Sequence, residues 1–85
     1  MPFVKGQKQE LNRIKVVIVE QKRTIKWVAQ QLHKDVATVS QWCSNSRQPD
    51  LYTLNDLANL LMVDVRTLIL PNQRFEIKGE LDDDV

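Results

Sequence analysis

The stretch VAQQLHKDVATVSQW, residues 28–42, decides how the rest of the chain is read. Its apolar residues form two short helical series. Val28, Ala29 and Leu32 join Ile25 at i, i+3, i+4 and i+7, and Val36, Val39 and Trp42 recur every third residue. Thr24 and Asp35 stand where a helix start needs a side-chain oxygen to accept an unpaired backbone N–H. With Leu32 ending one helix and Asp35 opening the next, only His33 and Lys34 make the turn. That turn is too short for an antiparallel pair, so the two helices must cross steeply. Ala29 is small enough to let the second helix start close against the first.

The same spacing extends in both directions. Leu11, Ile14, Val17 and Ile18 mark an earlier helix, although the β-branched run KVVIV at 15–19 is also compatible with a strand. After Trp42 the segment SNSRQP ends a helix: Asn45 tolerates a left-handed cap, and Pro49 cannot extend one. A fourth helix follows, capped by Asp50 or Thr53, with Leu54, Leu57, Ala58 and Leu61 inward. A fifth is predicted over DVRTLIL, from its cap Asp64 to the stop at Pro71. Beyond it, RFEIKGEL alternates as a short strand or extended arm would, and ELDDDV has the composition of a disordered tail. The expectation is an all-α, compact domain of five helices over residues 11–70. A flexible basic arm at 1–10 precedes it, and a C-terminal arm with an acidic tail at 71–85 follows.

Eighty-five residues suffice for a single small domain. The apolar fraction of 42% and charged fraction of 27% are those of an ordinary soluble chain, and no apolar run approaches the roughly 18 residues of a membrane span. The opening MPFVKGQKQE lacks the apolar stretch of a signal peptide, and the single cysteine, Cys43, fits a reducing compartment, so a cytoplasmic protein with no membrane association is expected. Net charge is only +1, but it is unevenly spread: residues 1–49 hold nine basic and three acidic side chains, whereas residues 50–85 hold three and eight. The basic half can attract phosphates.

A tight, steep helix pair in the basic half is the helix-turn-helix, whose second helix can protrude into a DNA major groove. Residues 24–69 resemble the Cro and repressor class of such domains, the XRE family. The resemblance rests on Thr24, Val28-Ala29, Leu32, Asp35, the run Thr38-Val39-Ser40-Gln41-Trp42, Asn45, Pro49, Leu51, Leu54 and Leu57-Ala58. With the first helix included it covers residues 11–70. It implies a lambda-repressor-like domain that binds double-stranded DNA and regulates transcription, most often as a repressor. The chain departs from the pattern in places. His33 stands where the family has Gly, at a position that tends to need a positive φ. Ile18 and Cys43 replace an Arg and a Glu that can pair, and Arg23 and Lys34 replace apolar residues. Ile25 replaces an amide that touches the DNA backbone.

The resemblance also places contacts. Val36, Ala37, Ser40 and Gln41 occupy base-reading positions. Gln41 is the best reader, because an amide can bond adenine N6 and N7 together. Thr24 and Lys26, with the free amides of their helix start, and Ser44, Asn45, Ser46, Arg47 and Gln48 in the following loop are placed on phosphates. Trp42 belongs to the core, and Trp27 either covers the edge of the core or lies near DNA. One helix reads about half a turn of DNA, so a homodimer on a palindromic operator is expected, with Val63, Val65, Leu68 and Leu70 as its interface. One His, one Cys and no glycine-rich phosphate loop argue against an enzyme, a cofactor or a metal site. The competing reading is a protein-interaction module, such as an antitoxin or a bridging co-regulator, whose protein partner docks at the C-terminal end.

Overall fold

The computed structural model describes residues 10–71. The readings of 1–9 as a basic arm and of 72–85 as an extended arm with an acidic tail lie outside them. The described residues are all-helical. They form α1 (Ile14–Glu20), α2 (Ile25–Leu32), α3 (Val36–Cys43) and α4 (Leu51–Leu61), followed by a 3₁₀ turn (Val65–Leu68). Among them no helix is long and apolar enough to cross a membrane.

α1 is a helix despite its β-branched run. Ile14, Val17 and Ile18 are at most 2% exposed, while Val16 and Val19 face outward. Burying three such side chains stabilises by about 1.5–3 kcal/mol each, against a propensity penalty of about 0.5 kcal/mol per β-branched residue. The core continues through Val28 and Ala29 of α2, Val39 and Trp42 of α3, Leu54, Leu57, Ala58 and Leu61 of α4, and Leu68. Thr24 caps α2 by accepting from Trp27 N–H at 3.0 Å, and Asp50, not Thr53, caps α4 by accepting from Thr53 N–H at 2.7 Å. Asp35 holds the N-cap position of α3 in an extended conformation, but its side chain makes no capping bond.

The predicted fifth α-helix and the place of Leu11 in the first are corrected. The backbone after Asp64 makes only the four-residue 3₁₀ turn, and Ile69 is extended. Pro71 disfavours a helical Leu70, and the segment pairs instead with residues 11–13. Arg13 N–H donates to Leu68 O, Leu70 N–H donates to Leu11 O, both at 2.9 Å, and Asn12 and Ile69 form an antiparallel bridge. Leu11, in this pairing rather than in a helix, is half exposed.

All four α-helices end alike. Lys22, His33, Asn45 and Met62 have φ between 57° and 62°. In each case the next residue's N–H reaches back to a carbonyl five positions earlier: Arg23 to Ile18, Lys34 to Ala29, Ser46 to Gln41 and Val63 to Ala58. This left-handed ending reverses the chain in two residues. At His33 it produces the tight α2–α3 turn that the sequence requires, without glycine.

Candidate nucleic-acid interface

α2 and α3 pack closely, with Ala29 buried between them and the outer side of α3 left uncovered. Val36, Ala37, Ser40 and Gln41 are all exposed there. Gln41 O is heavily used, accepting from Ser46 N–H at 3.0 Å and Arg47 N–H at 3.2 Å. The Gln41 side chain, by contrast, has no internal partner among the described residues. The four predicted reading positions therefore share one exposed surface.

The predicted phosphate set divides. Lys26 and Arg47 are exposed and make no ion pair among the described residues. Thr24 Oγ1 is engaged as the α2 cap, although its hydroxyl can still donate. Ser44 and Ser46 are exposed, with hydroxyls 2.9 Å apart and both within reach of Gln41 O. Asn45 and Gln48 are turned to other work. Asn45 is 8% exposed, and its Oδ1 accepts from Leu11 N–H at 2.8 Å, Asn12 N–H at 3.0 Å and Gln48 Nε2 at 3.1 Å. Its Nδ2 donates to Asn12 O. Gln48 Oε1 accepts from Asn12 Nδ2 at 2.7 Å. The buried Asn45 side chain is not free to hold a phosphate, whereas Gln48 is exposed and keeps one Nε2 N–H unspent among the described residues.

The hub of this network is Asn12, which carries no role in the sequence reading. Its Nδ2 also donates to Trp42 O, and its Oδ1 accepts from Ile14 N–H, the first N–H of α1. Three carboxamides thus tie the start of α1 to the end of α3. Asn45 and Gln48 are near in the sequence, but their pairing with Asn12 is a contact across more than 30 residues and has no local signature.

Leu68 is removed from the predicted dimer surface, because it is fully buried in the core of its own chain. Val63 and Val65 pack partly against that core and, like Leu70, keep part of their surface outward. Trp27 is half-buried against the core, and the Arg23 guanidinium lies 4.1 Å over its ring centroid. Burial pushes the Cys43 thiol up, against the opposing charge of Lys15. Among the described residues no three His, Cys, Asp or Glu side chains are grouped as metal ligands would be.

The crystal structure of a "putative DNA-binding protein" from Bacteroides fragilis is 53% identical to this chain and superimposes with a TM-score of 0.70. The match covers 71% of this chain and 97% of that one. No protein-family model and no curated protein matches the chain. At that identity and coverage, the chain belongs to the same family as the Bacteroides fragilis protein.

Proposed function

We propose that this member of that family is a sequence-specific, double-stranded DNA-binding regulator of transcription, of the Cro/repressor (XRE) type. The observation that carries the reading is the outer surface of α3. It presents Gln41 unbonded beside Ser40, Ala37 and Val36 on a helix that only its inner side anchors. The electrostatics agree: residues 21–34 contain Lys22, Arg23, Lys26 and Lys34 and no carboxylate. The similarity to the Bacteroides fragilis DNA-binding protein supports the same reading.

In this reading α3 lies in the major groove. The Gln41 amide bonds adenine N6 and N7, Ala37 and Val36 meet thymine methyl groups, and Ser40 bonds a base edge. The Thr24 hydroxyl, Lys26 and the first amides of α2 hold one phosphate run, and Arg47 with Ser44 and Ser46 holds another. One strong amide contact supplies modest specificity, so two chains on a palindromic operator complete the site. Val63, Val65 and Leu70 supply the contact between them. The protein is a cytoplasmic binding module that uses no cofactor and catalyses nothing.

Leu51 and Tyr52, 75% and 88% exposed on the first turn of α4, favour a second reading as a protein-interaction module. Retention of promoter-sized duplexes at low salt separates the two. The DNA reading expects a complex whose affinity falls steeply with salt, and a protein that shifts no duplex at low salt refutes it.

A further inference from the structure

We infer that Arg23, stacked on Trp27, is a ligand for a DNA backbone phosphate, set in position before the DNA arrives; the inference rests on the DNA-binding reading. Three features of the fold hold this residue. Lys22 turns left-handed, at φ 59°, and brings Arg23 N–H onto Ile18 O at 3.0 Å, which locks the end of α1. The next residue, Thr24, caps α2 through Trp27 N–H. One helical turn on, the Trp27 ring lies under the guanidinium, 4.1 Å from centroid to Cζ.

A stacked guanidinium differs from a paired one. Arg66 sets two nitrogens on the Asp64 carboxylate, and Arg13 reaches Glu20 at 3.7 Å and Thr67 O at 3.0 Å. Their positions are fixed by partial neutralisation. The Trp27 ring fixes Arg23 by its face, leaving the full charge and the in-plane N–H donors at the edge for an incoming anion. Among the described residues no carboxylate pairs with Arg23, and Glu20 faces Arg13 instead. The position is also favourable. Arg23 directly precedes the helix start at which Thr24 and Lys26 are placed on the backbone. A purely structural role, with Arg23 covering an apolar ring, would leave DNA binding untouched.

The test is duplex affinity over a salt series for the wild type, R23A and R23K, with thermal midpoints for each. R23A should flatten the slope of log affinity against log salt by about 0.9, the value of one phosphate contact, and bind more weakly at every salt concentration. R23K should keep the slope but bind more weakly than the wild type, because an ammonium neither forks nor stacks in the same way. Quenching by acrylamide, which is neutral and so insensitive to the charge removed, reports on the stack itself, since Trp42 is 4% exposed and Trp27 is the accessible indole. Quenching should rise in R23A and fall when DNA binds the wild type. R23A with wild-type slope and affinity would overturn the assignment, as would R23K with wild-type affinity. A wild-type protein that shifts no duplex at all would instead remove the DNA reading beneath it.

Discussion

Gln41 and Asn45 carry the same functional group one helical turn apart, yet they face opposite tasks. Gln41 lies on the regular part of α3 with an exposed, unbonded amide. Asn45 follows the end of the helix at φ 62°, is 8% exposed, and holds the N–H groups of both Leu11 and Asn12. The left-handed turn, rather than the polarity of the residue, selects which amide faces outward and which ties residues 11–12 to the end of α3. A region that recognises sequence must keep its donors and acceptors unspent. The region that holds it in place must spend them.

Asn45→Ala should give the largest effect. It strands two backbone N–H groups, at about 1–3 kcal/mol each, and puts at φ 62° a residue that lacks the polar side chain by which asparagine tolerates the left-handed region. At about 4–8 °C per kcal/mol for a domain of this size, the thermal midpoint should fall by roughly 15 °C or more. A loss of only a few degrees would show that the tie is not essential. Gln48→Ala should lower the midpoint less, by about 5 °C, since it removes one partner from each of Asn12 and Asn45. DNA affinity measured well below the midpoint should hardly change. A large loss of affinity with an unchanged midpoint would return Gln48 to the phosphate set.

These two residues also mark how far the sequence could be read. Helices α1 to α4 follow from apolar spacing, because each buries a face whose period is local. The turn at His33 follows from the two residues available to it. The fifth helix and the place of Leu11 are not legible, because residues 68–70 bond to residues 11–13, a pairing with no local signature. Leu68 illustrates the same limit: periodicity marks it as apolar but does not say whether its own core or a second chain covers it. Of the candidate site, the exposed α3 positions and Arg47 were legible. The inward turn of Asn45, the hub at Asn12 and the Arg23–Trp27 stack required the three-dimensional arrangement.

Smaller changes sharpen the contrast between turns with and without a structural side chain. Met62 has the same backbone as Asn45, but its side chain is 88% exposed. Met62→Gly should therefore stabilise the domain by about 1 kcal/mol, through relief of the left-handed penalty. A calorimetric or optical melt should rise by about 5 °C; a fall would mean that the Met62 side chain has a partner. The smallest expected effect concerns acid. The Arg66 side chain and N–H hold the Asp64 carboxyl down to about 2, and the Thr53 N–H lowers Asp50. Both values lie below those of the unfolded chain, so the unfolded chain binds more protons as pH falls. The stability from the Asp64 cap is complete above about pH 4 and is lost toward pH 2, and that from Asp50 is lost in the same direction. The midpoint should drop by a few degrees over that interval, and Asp64→Asn should make the drop shallower; an identical pH profile in that variant would remove Asp64 from the effect.

Selection of bound duplexes from a random pool, run in parallel with the wild type, Gln41→Ala and Arg47→Ala, decides whether α3 reads the DNA. The wild type should enrich a two-fold-related motif with one adenine contact in each half. Gln41→Ala should free that position alone while its thermal midpoint stays unchanged. Arg47→Ala should weaken every sequence alike and leave the motif intact. Recovery of the full wild-type motif by Gln41→Ala would contradict the claim that the outer surface of α3 reads the DNA.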